Sequence, residues 1–314
     1  MRLPTVRAAH LAPPDPDHQP WLIEGLWSAN GCGIVGGEPK VGKTFLALDL
    51  AVSVASSSAC LRHFRTPQAG RVLLFAAEDA PHVVRGRLEG IAHAAGVEFQ
   101  SLDIHVITTP MLRLDRKEHQ QALEATVAFL KPQLTVLDPL VRLHAIDENV
   151  AAEVAPLLAY LRSLQRDHHT AVALVHHARK GAAHERGGQA LRGSSELHAW
   201  GDSNLYLRRN GLQLQLSIEH RAAPGVDRLL LTLKADPPAL ALEVIDQQPA
   251  AAPSAQPSCL QRIEQALAGA RQPLTQKQVR NTVRMRTSDV SQALATLIAN
   301  GRVLKSADGY QLKR

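Results

Sequence analysis

The pattern Gly37-x-x-x-x-Gly42-Lys43-Thr44 stands between an apolar run, Gly33 to Gly36, and a helical pattern of Phe45, Leu46, Leu48, Leu50, Val52 and Val54. Strand, glycine-rich turn, helix is the context this pattern requires. Backbone N–H groups of such a turn point inward and cradle phosphate oxygens, and the helix N-terminus adds the positive end of its dipole. Gly37, Glu38, Pro39, Lys40, Val41, Gly42, Lys43, Thr44 and Phe45 are therefore expected to hold a nucleoside triphosphate. Lys43 would reach the β- and γ-phosphates and the Thr44 hydroxyl would join a Mg²⁺ shell, so ATP and Mg²⁺ are the expected cofactors.

Length and composition bound the rest. With 314 residues, 45% of them hydrophobic, the chain can bury one large α/β domain plus a small one. Cys32, Cys60 and Cys259 lie far apart without metal-type spacing, which points to a reducing, cytoplasmic setting and no disulfide framework. Residues 1–20 are Pro-rich and polar, and read as a flexible arm rather than a secretory leader. The apolar stretch from Phe45 to Leu61 is broken by Asp49 and a serine cluster, so it reads as a buried helix and no membrane partner is expected. The net charge of +6 is uneven: from Cys259 to Arg314 ten Lys/Arg face three Asp/Glu, so the remainder of the chain is slightly acidic. A compact basic tail points to nucleic acid.

Residues 21–245 alternate strand and helix patterns, which predicts an α/β fold with a mainly parallel sheet covered on both faces. Strands are expected at 71–77, 104–107, 134–137 and 171–175, and further ones at 205–207, 212–218, 229–233 and 240–245. Helices are expected over 82–95, 120–130 and 150–166, the last with Asn149 as N-cap. Residues 246–258 form a Pro/Ala/Ser/Gln linker. Residues 259–314 then read as three helices and a hairpin, the order of a winged helix-turn-helix domain, with Thr275-Gln-Lys-Gln278 as a capping box.

Ligands of open α/β sheets sit beyond the carboxyl ends of the strands, and polar residues recur there. Asp138, after Leu134 to Leu137, has the Walker B arrangement and is a candidate metal carboxylate beside Thr44. Glu78 is a candidate general base, with Asp79 competing. His176 and His177 end the next strand and are candidate sensors of the γ-phosphate. In the loop that follows, Arg179, Lys180 and Arg186 could meet a nucleic-acid backbone. Arg192, Arg208 and Arg209 are candidates for an arginine supplied to a neighbour's nucleotide. In the tail, the third helix would enter a major groove, so Ser288, Ser291, Gln292 and Thr296 could reach DNA, flanked by Arg284 and Arg286 and by Lys305 and Tyr310 on the wing.

This set resembles the RepA-type hexameric plasmid-replication helicases and related phage and plasmid ATPases with a RecA-like core. The matching pieces are GEPKVGKT (37–44), AAED (76–79), LDPL with DEN following (137–140, 147–149), VHHARKG (175–181) and RGSS (192–195), in family order across roughly residues 20–210. The resemblance implies that Lys43 and Thr44 bind phosphate and Mg²⁺, that Glu78 is the base and Asp138 the metal carboxylate, and that the histidine pair holds the γ-phosphate sensor. It also implies a homo-oligomeric ring whose basic loop from Arg179 faces single-stranded DNA. The sequence departs from the family at Asp202, where the family has an arginine, and in its basic tail, which suggests contact with duplex DNA. The leading expectation is a ring-forming, DNA-stimulated ATPase acting as a helicase or translocase. The alternative is a non-translocating, ATP-switched DNA-binding protein such as a loader, initiator or regulator. A small-molecule kinase would leave the basic tail unexplained.

Overall fold

A computed structural model describes residues 3–11, 19–177, 195–211, 213–245, 259–268, 270, 272–283, 287–300, 302–306 and 309–313. They fall into two compact units, Met1–Asp246 and Gln247–Arg314. The first unit opens with a short antiparallel pair, β1 (Trp21–Ile23) and β2 (Trp27–Ser28). It continues with β3 (Cys32–Gly37), α1 (Lys43–Ser56), β4 (Val72–Ala76), α2 (Pro81–Ala94), β5 (Ile104–Val106), α3 (Lys117–Leu130), β6 (Leu134–Asp138), α4 (Ala151–His168) and β7 (Ala171–His177). It closes with α5 (Ser195–Trp200), β8 (Ser203–Asn210), β9 (Gln213–His220), β10 (Val226–Lys234) and β11 (Ala241–Val244).

Among the described residues one large sheet has the order β11-β10-β9-β8-β3-β7-β6-β4-β5. From β8 to β5 all pairings are parallel; β9, β10 and β11 add an antiparallel extension. The central strands are apolar on both faces because helices cover both. Val35, Leu74, Val136 and Val175 join one core layer with α1 and α2, while Ile34, Leu73, Leu137 and Leu174 join the other with α3, α4 and α5. The parallel register puts Gly37, Ala76, Asp138 and His177 together at the carboxyl edge of the sheet. Gly37 pairs with Leu207 on β8, and a Cβ at Gly37 would lie 2.4 Å from the Leu207 carbonyl oxygen. The phosphate strand can approach β8 this closely because it carries no side chain there.

Some local readings differ from expectation. Helix α3 begins at Lys117 rather than Gln120, and α4 is capped by Val150 instead of Asn149. The Asn149 amide donates to Asp147 Oδ1 at 2.9 Å, so its side chain supports the preceding turn. Asp202, which stands where the resemblance leads one to expect an arginine, is a structural carboxylate. It accepts the Cys32 N–H at 3.0 Å and pairs with Arg162 and Arg221, fastening the start of β3 to α4 and to the turn that follows β9.

Asp49 is the other structural carboxylate, fully buried on the helix that follows the phosphate turn. It accepts the Leu61 N–H at 2.9 Å and two hydrogen bonds from Arg62 at 2.6 and 2.7 Å. Removing one partner of a buried ion pair strands the other, so Asp49→Ala is expected to destabilise the first unit by about 3 kcal/mol. A urea unfolding curve reads this as a lower midpoint at unchanged slope. An unchanged midpoint would show that water replaces the carboxylate.

The second unit contains α6 (Cys259–Ala268), α7 (Gln276–Val283), α8 (Thr287–Ala299) and an antiparallel pair, β12 (Val303–Ser306) with β13 (Gly309–Leu312). Its core joins Ile263, Leu267, Val279, Val283, Val290, Leu294, Leu297 and Val303. The capping box forms: Thr275 N–H donates to Gln278 Oε1 at 2.8 Å and Gln278 N–H to Thr275 Oγ1 at 3.3 Å.

Candidate active site

The turn after β3 makes two excursions into left-handed backbone, Lys40 at φ 63° and Gly42 at φ 101°, before α1 begins at Lys43. These wrap the chain around the start of the helix. A cavity of about 310 Å³ opens above it. Lys40, Val41, Gly42, Lys43, Thr44 and Phe45 form its floor, and Glu78, Asp138 and His177 enter from the ends of β4, β6 and β7. A second cavity of about 210 Å³ is lined by Thr44, Ala76, Glu78, Asp79, Arg87 and Asp138. Five residues from four separate stretches of the sequence, Lys43, Thr44, Glu78, Asp138 and His177, therefore line one cavity.

Lys43 is buried, and its ammonium donates to the Glu38 carbonyl at 2.8 Å. Burial pushes its pKa down to about 8 against the opposing fields of Asp138, Glu78 and Glu38. Asp138 is also buried, which pushes its carboxyl up to about 6; the hydrogen bond with Thr44 opposes that, while Asp79 and Glu78 add to it. A hydroxyl and a carboxylate joined beside a phosphate turn are hard oxygen donors, and this donor set fits Mg²⁺ carried in with a triphosphate. Such an ion would neutralise phosphate charge and hold Asp138 ionised.

The histidine pair divides by strand alternation. His177 lines the cavity; burial, then the Lys43 charge, holds its pKa below the ordinary value, so it is neutral at neutral pH. His176 lies in the core, with Nδ1 4.0 Å from Glu148 Oε1, and that same carboxylate oxygen lies 3.3 Å from His144 Nε2. Arg209 lines the cavity of its own chain, while Arg208 falls on the other face of β8. Arg179, Lys180, Arg186, Arg192, Arg284 and Arg286 lie outside the described residues, as do the side chains of Ser288 and Gln292. In the second unit Ser291 Oγ accepts from Gln276 at 2.5 Å, and the Lys305 ammonium lies 5.9 Å from the Tyr310 ring.

Two arginines escaped the sequence reading. Arg87 on α2 pairs with Asp79 and stacks 5.3 Å from the Phe45 ring. Arg142, in the 3-10 turn Leu140–Arg142, donates to Glu78 Oε1 at 3.0 Å. Neither stands in a motif, and only the fold brings them to the cavity carboxylates. The Arg142 bond takes up one of the two Glu78 oxygens and ties the carboxylate to the 3-10 turn, a restraint on its reach toward an attacking water. Arg142→Ala is expected to raise ATP turnover without DNA by up to about fivefold, the factor that about 1 kcal/mol of an exposed pair corresponds to. A fall in turnover would show that Arg142 aligns Glu78 rather than restraining it.

Residues 1–183 match the AAA_25 family model, described as an AAA domain. The chain belongs to this family. Among solved structures, this AAA domain chain is similar to a DnaB-like replicative helicase, with a TM-score of 0.53 and 14% identity, over 68% of this chain and 59% of that one. It is also similar to the RadB recombinase, with a TM-score of 0.50 and 17% identity, over 69% of this chain and 92% of that one. A KaiC-like protein from Pyrococcus horikoshii OT3 matches at TM-score 0.49 and 14% identity, over 71% and 93% of the two chains. The chain spans 59% of the helicase's length. At these identities the likeness is one of fold. The AAA domain chain is thus a RecA-like P-loop ATPase with a large, mostly parallel sheet. No helix among the described residues is long and apolar enough to cross a membrane.

Proposed function

We propose that this protein is a ring-forming, DNA-stimulated ATPase that works as a helicase or translocase on single-stranded DNA in plasmid, phage or mobile-element replication. The observation that carries the ATPase chemistry is the convergence of Lys43, Thr44, Glu78, Asp138 and His177 on one cavity. In this reading Lys43 binds the phosphates, Thr44 and Asp138 hold Mg²⁺, and Glu78 takes the proton from the attacking water. His177 senses the γ-phosphate, and His176 behind it passes the change toward Glu148. Arg179, Lys180 and Arg186 would meet single-stranded DNA in the channel of a hexamer. Arg192 or Arg208 would serve a neighbour's nucleotide, since Arg209 already lines its own.

The basic excess of residues 259–314, on three helices followed by a hairpin, supports a winged helix-turn-helix domain that binds duplex DNA. Residues 246–258 would be its linker. Arg284, Arg286, Ser288, Ser291, Gln292 and Lys305 are its proposed contacts. The fold shared with a DnaB-like replicative helicase and the RadB recombinase agrees with work on DNA. Strand displacement on a forked duplex tests the motor: unwinding should require ATP and vanish in Lys43→Ala. Tight, ATP-dependent binding to duplex DNA with no displacement would instead support a loader, initiator or regulator.

A further inference from the structure

The nucleotide cavity has one wall whose character differs from the rest. Its floor and strand-end side carry Lys43, Thr44, Glu78, Asp138 and His177, a set suited to phosphate and metal. The opposite side is made by Leu214 on β9, Leu233 on β10 and Leu242 on β11. All three come from the antiparallel extension of the sheet. Leu233 and Leu242 are direct cross-strand partners, and Leu214 pairs with Arg209 on β8. Leu242 is buried and stands over the end of the phosphate turn: a Cβ added at Gly42 would meet its Cδ1 at 3.7 Å. Leu233 is 48% exposed at the cavity mouth, an apolar surface left uncovered beside a site built for an anion.

We propose that this leucine wall is the nucleobase subsite, and that it binds the base without reading which base it is. The inference rests on the nucleotide reading of the cavity and specifies its outer half. A triphosphate held on the turn leaves its ribose and base to extend away from Lys43, and on the side of β8 to β11 the leucines are the apolar lining, apart from Val41, Phe45 and Val175 around the turn and β7. Leucine methyl groups offer burial and dispersion to the face of any base, and no donor or acceptor for its edge. Arg209 is the polar side chain on this side, and it carries donors only. Every base presents an acceptor to it, so it does not select one. Sites that reject an analogue by large factors do so with buried hydrogen-bonding groups, and apolar pockets do not.

The test is equilibrium competition on the full chain with Mg²⁺, using ATP labelled on the ribose with a methylanthraniloyl fluorophore as probe. ATP, GTP, CTP and UTP should displace it with affinities within about tenfold of one another, while inorganic tripolyphosphate competes at least about tenfold more weakly. Leu233→Ala, at a half-exposed position that the fold does not depend on, should weaken all four nucleotides by a similar factor of about three to ten and leave tripolyphosphate unchanged. ATP binding a hundredfold tighter than the other three, or tripolyphosphate matching ATP, would overturn the proposal while leaving the phosphate site standing. Probe binding that is absent, or that survives Lys43→Ala, would overturn the nucleotide site itself and this subsite with it.

Discussion

Glu78→Gln is expected to lower ATP turnover by about 10²- to 10⁴-fold while nucleotide binding is retained. The amide keeps the shape of the side chain and its place in both cavities, but it cannot accept a proton from an attacking water. The neighbouring carboxylate is not expected to replace it: Asp79 lines the second cavity but not the one that holds Lys43 and His177, and it is paired with Arg87, which is itself stacked on Phe45. Asp79→Asn should accordingly cost much less. Turnover in single-cycle conditions, measured beside probe affinity for each variant, separates chemistry from binding. If Asp79→Asn abolishes turnover and Glu78→Gln does not, the base is Asp79.

A second large effect comes from Lys43. Burial lowers its pKa to about 8, so above that pH the side chain loses its charge. A bound triphosphate surrounds the ammonium with negative charge and raises its pKa. The bound form then holds the proton over a range in which the unbound form has released it, and binding takes up a proton there. Affinity for ATP is therefore expected to be flat from neutral pH to about pH 8 and to fall above it, by up to about tenfold per pH unit. Lys43→Arg, charged throughout this range, should flatten the profile, and Lys43→Ala should lower affinity at every pH. Isothermal titration in buffers of different ionisation enthalpy reports the proton uptake directly. A wild-type affinity that stays constant to pH 9.5 would mean that the lysine is already charged in the unbound site.

What could be read from the chain depended on how local the determinants are. The phosphate turn, the helix after it, the Walker B strand and the capping box at Thr275 are written in contiguous residues, and each forms where its pattern lies. The strand segments after residue 200 were legible as strands, but not their antiparallel order or the fact that they wall the nucleotide cavity. Pairing across β8 to β11 is set by contacts between distant residues, and Leu214, Leu233 and Leu242 look like ordinary strand leucines until the sheet is assembled. The same holds for Arg87 and Arg142, whose partners lie 8 and 64 positions away in the chain. Asn149 misled because a good capping residue also makes a good turn, and here Asp147 takes its amide. Asp202 could be recognised as a departure from the family pattern, yet only the fold shows that it fastens three elements together.

In the proposed function, hydrolysis at this cavity is driven by DNA in an assembled ring. The most direct measurement is the ATP turnover of the full chain with and without single-stranded DNA, with oligomer mass measured by mass photometry on the same samples. A ring-sized oligomer is expected, whose turnover rises strongly with DNA and is lost in Lys43→Ala and Glu78→Gln. Slow turnover that ignores DNA, in a protein that stays monomeric or dimeric with ATP and DNA present, would contradict it.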